Sequence, residues 1–244
     1  MRPVRRDISP QVDDFIPYDA ALPYLIARIG RYCSYCERKI NTQLAVEHIQ
    51  PKGLAKYAHL EGSWPNFLLA CVNCNSTKGS KDVLFLDYLL PDRDNTFLAY
   101  EYFADGRIRT SAYAADKGVQ VLAQNTLTLV GLDKKISEVR DGNGKLVAID
   151  RVAQRMEVWA IAEESRDDLS GAPGSAALQR QIVKTAVATG FFSIWMAVFS
   201  NDAIMRGNFV AAFAGTFESG CFDLVNSDAV PSPNLDGLPD GNKL

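Results

Sequence analysis

The chain has 244 residues, 47% of them hydrophobic and 23% charged, with a formal net charge of −3. That is ordinary globular composition, with interior enough for one large domain or two small ones. It excludes a surface coated in positive charge for non-specific nucleic-acid binding, and the uncharged run 185–200 is shorter than the roughly 20 residues that span a bilayer.

Charge is unevenly placed. Residues 1–85 hold 11 Lys/Arg against 8 Asp/Glu, a net of +3, which leaves −6 for the remainder. Residues 1–20 read as an irregular arm, with Arg2, Arg5 and Arg6 either solvated or touching phosphate or a partner. No apolar leader follows these arginines, so a cytoplasmic protein is expected. Leu22, Leu25, Ile26 and Ile29 recur at spacings of three and four and predict a short helix stopped by Gly30. Cys33 and Cys36 then form a knuckle with 37–39 on its tip. Leu44, Val46 and Ile49 predict a strand ended by Pro51, and residues 66–70 a second strand after a loop with Gly53, Gly62 and Pro65. Cys71 and Cys74 form a second knuckle, and a helix from near Cys74 through Lys78 puts Asn75 and Lys78 on one side.

Beyond residue 82 the pattern predicts buried stretches at 83–86 and 88–90, a strand within 96–103 and a hairpin turn at Asp105-Gly106. A helix is expected over 112–130 with Gly131 as its stop. Leu146, Ile149, Val152, Ala153, Met156, Trp159 and Ala160 form a helical stripe. A polar loop over 166–175 follows, then a long helix from Leu178 kinked at Gly190 and running through Phe199. Residues 226–244 read as a mobile tail, and Cys221 as a small buried hydrophobe.

The chemistry concentrates between residues 32 and 81. Two Cys-x-x-Cys pairs, Cys33/Cys36 and Cys71/Cys74, have the composition of a closed tetrahedral zinc site, which is structural because no position stays open to substrate. The 34 residues between the pairs carry Glu47, His48 and Asn66, and Asn75 follows the last cysteine. A histidine near its natural pKa can strip a proton from water. Carboxylate and amide oxygens suit Mg²⁺ or Mn²⁺, which relieves charge at a phosphorus and a leaving oxygen. His59, the other histidine, reads as a surface residue. Lys52, Lys78 and Lys81 are candidate phosphate contacts.

This arrangement resembles the HNH endonuclease family. The matching residues are Glu47-His48 for the Asp-His pair, Asn66 for the central Asn, Asn75 for the final His or Asn, and Lys78 for the basic residue after it. The resemblance implies an α+β fold: a ββα-metal nuclease core over about 30–82, within a unit 1–104, pinned by the Cys₄ zinc. A mainly helical part over 105–225 completes it. It also implies a catalytic divalent cation on Glu47 and Asn75, distinct from the zinc, His48 as the base, and Asn66 bracing the loop that carries it. DNA is the favoured substrate, RNA the alternative. Arg2-Pro3-Val4, Leu90-Pro91-Asp92-Arg93-Asp94 and Phe213-Ala214-Gly215-Thr216 are further similar to bacterial defence nucleases of the Septu and retron-associated type. That likeness implies an ABC-type ATPase partner docked on the acidic helical part. A catalytically silent zinc module that binds nucleic acid or protein is the competing reading. Two departures matter: Glu replaces the more frequent Asp at 47, and neighbours on a regular strand face opposite ways, so Glu47 and His48 share a site only where the strand ends or kinks.

Overall fold

The protein is described by a computed structural model covering residues 1–134, 151–223 and 225–244. After an irregular segment and a 3₁₀ turn comes α1 (Leu22–Ile29), with Pro23 in its first turn, where a missing N–H is harmless. Leu25 and Ile29 fall one helical turn apart and are both buried, and Gly30 ends the helix at φ 74°. The first knuckle is closed by an antiparallel bridge between Tyr32 and Lys39. Strand β1 (Ala45–His48) pairs antiparallel with β2 (Phe67–Ala70), from Ala45 opposite Ala70 to His48 opposite Phe67. Cys71 caps α2 (Val72–Lys78), its sulfur accepting from the Cys74 amide. The result is a strand–strand–helix unit, with the helix starting two residues earlier than the spacing predicts.

The strand expected within 96–103 is divided. Asn95 caps a helical turn, α3 (Thr96–Ala99), and only β3 (Tyr100–Tyr102) pairs with β4 (Ile108–Thr110) across the Asp105-Gly106 turn. The helix expected over 112–130 is likewise two, α4 (Ala112–Asp116) and α5 (Gln120–Val130), separated at Gly118 with φ 73° and stopped at Gly131. Helix α6 (Arg151–Gly171) absorbs half of the loop expected over 166–175, because those polar residues sit on its solvent side until Pro173-Gly174 interrupts. Leu146 and Ile149 of the expected stripe lie outside the described residues. Helices α7 (Ala176–Thr189) and α8 (Phe192–Val198) flank Gly190 as expected, and α9 (Ala203–Ala212), capped by Asp202, is an element the sequence analysis does not anticipate. No helix among the described residues is long and apolar enough to cross a membrane.

The kink at Gly190 carries the packing of the helices onto the first knuckle. Its φ is 79°, and an added Cβ would lie 2.7 Å from both the Glu37 carbonyl and the Lys39 nitrogen. Glu37 is therefore not on an exposed tip. It is 2% exposed, and its carboxylate accepts from the Ser193 amide and hydroxyl, both at 2.7 Å, and from the Tyr102 hydroxyl at 3.0 Å. The Met1 amino group stands 3.2 Å away.

Three stretches far apart in sequence converge. Arg2 donates to Ala214 O, Thr216 Oγ1 and Ile29 O, the Val4 amide to Pro91 O, and Arg6 to Asp92 Oδ2 at 2.7 Å. The arm is thus neither solvated at Arg2 and Arg6 nor free to touch a ligand through them; both are buried. Residues 226–244, expected to be mobile, close the same region. Leu244 is buried, its carbonyl accepting from the Asn95 and Ser232 amides, while Arg93 donates to Pro239 O. Backbone satisfaction, not apolar content, fixes that tail, which is why composition misreads it. The core crosses residue 104 without a break: Tyr32 packs tilted on Phe213 at 5.1 Å, Phe213 meets Phe192 edge-on at 5.3 Å, and Phe192 meets Phe222 edge-on at 5.7 Å.

Candidate active site and metal centre

Four sulfurs from the two knuckles gather in one buried place. Cys33, Cys36, Cys71 and Cys74 bring their Sγ atoms within 4.8 Å of one another, and all four are free thiols. Zinc–sulfur bonds of about 2.3 Å in a tetrahedron put sulfurs about 3.8 Å apart; Cys36 and Cys71 stand at 3.7 Å. The donor set and spacing fit zinc. Four thiols this close cannot keep ordinary acidities. Hydrogen bonds from Cys33, Cys36 and Cys74 drive Cys71 down, while burial drives Cys33 up.

Two arginines that the sequence analysis passed over belong to this centre. Arg151 Nη1 donates to Cys74 Sγ at 3.0 Å. Burial lowers the pKa of Arg38, but Cys36 and Cys71 more than offset it, and the net shift is upward. Nothing in sequence marks Arg151, which lies 77 residues from Cys74, whereas Arg38 sits two residues after Cys36 and reads only as part of the knuckle's tip.

Beside the zinc site, β1 ends at His48, and there Glu47 and His48 open into the same cleft. It holds about 260 Å³ and is lined by Tyr18, Glu47, His48, Lys52, Asn75 and Lys78 among others. The end of the strand resolves the two-face problem. His48 Nε2 lies 2.8 Å from the Glu61 carbonyl. A carbonyl only accepts, so Nε2 carries the proton and Nδ1 is the basic nitrogen. The ring meets Tyr18 and Phe67 edge-on, at 4.8 and 5.2 Å. Burial lowers its pKa, and the Glu61 bond partly restores it.

Asn66 does not line the cleft. It braces the turn after β1, with Oδ1 accepting from the Gln50 amide at 2.8 Å and Nδ2 donating to Gln50 O at 2.9 Å. Glu61 and Asn66 together fix the two ends of the segment that orients His48. Asn75, on α2, faces the cleft, and its side-chain amide makes no hydrogen bond among the described residues.

The three lysines differ. Lys78 is buried, 2.8 Å from Glu47 Oε1, and donates to His48 O at 2.7 Å. It is a part of the site's interior and not a surface contact for phosphate. Glu47 is 2% exposed; burial raises its pKa and Lys78 opposes the rise. Lys52 stands at the mouth, paired with Glu61 and 3.9 Å above the Tyr18 ring. Lys81 is turned away, donating to Leu129 O. His59 is exposed and outside the cleft.

Residues 33–81 match the family model described as HNH endonuclease. No curated protein matches the chain. Residues 33–81 are similar to the HNH endonucleases, a likeness that points to a nuclease-type function and takes in all four cysteines together with Glu47, His48, Asn66 and Asn75.

Proposed function

We propose that this protein is a metal-dependent endonuclease that hydrolyses phosphodiester bonds of nucleic acid, DNA in preference to RNA. The observation that carries the reading is the tautomer of His48: the Glu61 carbonyl holds the Nε2 proton and leaves Nδ1 basic in a cleft shared with Glu47 and Asn75. In that arrangement His48 accepts a proton from water as the water attacks phosphorus, and the bond to the 3′ oxygen breaks. Glu47 and Asn75 would hold the divalent cation. The fit is to an ion that keeps most of its waters, since the cleft offers one carboxylate and one amide, and the Glu47 carboxylate has no partner beside Lys78 among the described residues. Bound there, Mg²⁺ or Mn²⁺ would neutralise charge at the phosphoryl group. Lys52 at the mouth is placed to meet a phosphate.

The likeness to Septu-type nucleases adds a setting, antiviral defence beside an ABC-type ATPase. The net negative charge after residue 85 supports a protein partner there over a nucleic-acid backbone. Co-expression with such an ATPase and capture through His-tagged full-length protein tests it; no capture removes the partner.

One observation favours the silent zinc module: Lys78 already gives Glu47 a counter-ion without any metal. Plasmid cleavage by the purified protein in Mg²⁺ or Mn²⁺, with and without EDTA, decides. The endonuclease reading expects metal-dependent nicking that His48→Ala abolishes while folding and zinc content stay intact. Nucleic-acid binding with no cleavage under any divalent ion, alone or with the ATPase, would establish the silent module instead.

A further inference from the structure

Two guanidinium groups flank the cysteine cluster, Arg151 hydrogen-bonded to a sulfur and Arg38 to Asn73 of the second knuckle, and neither has a carboxylate partner among the described residues. Arg151, at the start of α6, is 9% exposed. Its Nη1 donates to Cys74 Sγ at 3.0 Å and to Val130 O at 2.8 Å, and its Nη2 to Gly131 O at 2.6 Å. Arg38, two residues after Cys36, donates to Asn73 Oδ1 in the second knuckle at 3.2 Å and to Gln154 Oε1 on α6 at 3.1 Å. The contacts run both ways. One arginine reaches from α6 into the cluster, and the other reaches from the knuckle out to α6.

Charge gives this exchange a purpose. A dication held by four thiolates carries a net charge of −2, and here the cysteines are between 0% and 3% exposed. Buried charge is costly unless it is compensated. Two guanidiniums supply the compensation, and a donor aimed at a ligating sulfur also fixes that ligand's orientation. We propose that Arg38 and Arg151 form a cationic clamp through which α6 retains the metal at Cys33, Cys36, Cys71 and Cys74. Metal retention is then a property of α6 as well as of the two knuckles. The proposal rests on the zinc reading of the four cysteines.

The test uses the zinc-loaded full-length protein challenged with a chromogenic chelator. Arg151→Met is expected to release zinc about tenfold faster or more, since outer-shell partners of metal ligands are worth about 10–100-fold in affinity. Arg38→Met should give a smaller acceleration. Arg166→Met, an exposed arginine on the same helix paired with Asp167, should release at the wild-type rate. Arg151→Lys keeps the charge without the fork and should fall between. In cobalt-substituted protein the thiolate-to-metal charge-transfer bands should shift in Arg151→Met and stay in place in Arg166→Met, which lost packing alone would not produce. Wild-type release with unshifted bands in folded Arg151→Met overturns the clamp. If that variant does not fold, wild-type release in both Arg151→Lys and Arg38→Met overturns it equally. Wild-type protein folded without zinc overturns the zinc reading and the clamp with it, and metal content separates that failure from the others.

Discussion

His48 is held neutral by its surroundings. Burial puts its pKa below the ordinary 6.5, and a general base works in its deprotonated form. The acid limb of the pH–rate profile is therefore expected to have its midpoint below 6.5, with full activity at pH 7; a midpoint above 6.5 would contradict the assignment. The sign for stability agrees: a depressed histidine favours folding fully above its unfolded pKa, and the contribution is lost as pH falls below it. At Asn66, replacement by Ala orphans the Gln50 amide and carbonyl. We expect a loss of about 1–3 kcal/mol by chemical denaturation and slower cleavage, with zinc content unchanged. Glu47, His48, Asn66 and Asn75 were singled out by their likeness to the HNH pattern, and the structure brings Glu47, His48 and Asn75 to one cleft. The Glu61 carbonyl was not legible, since a backbone acceptor has no residue signature. Nor was the burial of Lys78: spacing put it on the side of α2 shared with Asn75, but only the tertiary fold covers it.

Elements tell the same story at larger scale. Strands β1 and β2 and helix α2 were readable because Pro51, Pro65 and the cysteines punctuate them. The α3 turn and the extension of α6 were not, because the aromatic run after Asn95 reads as strand and a polar helix face reads as loop in one dimension. The ββα unit is short, its strands four residues and α2 seven, so a metal bound at the four cysteines is expected to supply much of its stability. Chelation of the zinc is expected to unfold this unit, seen as lost protection of 45–48 and 67–78 in hydrogen exchange; unchanged protection would remove the structural role. Gly190→Ala places a methyl against the backbone of the first knuckle at a positive φ. It should cost more than about 1 kcal/mol in a denaturant titration, with a smaller loss pointing to a corner that can shift.

At the scale of the whole molecule, the buried Arg6–Asp92–Arg93 group ties the N-terminal segment to the centre of the chain. Burial alone would raise Asp92, but Arg93 and Arg6 bring it down to about 2 from 3.8. A depressed carboxylate contributes stability that is whole above its unfolded value of 3.8 and is lost as pH falls toward 2. Arg6→Ala should cost about 3–5 kcal/mol and flatten acid unfolding between pH 4 and 2, both read from thermal melts across that range. The sequence showed these segments only as fragments of resemblance; their meeting depends on hydrogen bonds between positions some 90 to 210 residues apart, which no local pattern encodes.

The bonds from Glu37 to Ser193 join residues 156 positions apart. On a ribosome adding about 5–20 residues per second, that separation is roughly 8–30 s of synthesis. During that interval the buried carboxylate of the first knuckle lacks its two Ser193 donors, and the surface that Phe192 and Phe213 later cover stays open. A cell making this protein therefore holds, through most of translation, an unfinished chain whose first knuckle still lacks the helix that packs on it. The first knuckle gains its cover only once α8 has been made, so its final packing is set late in synthesis.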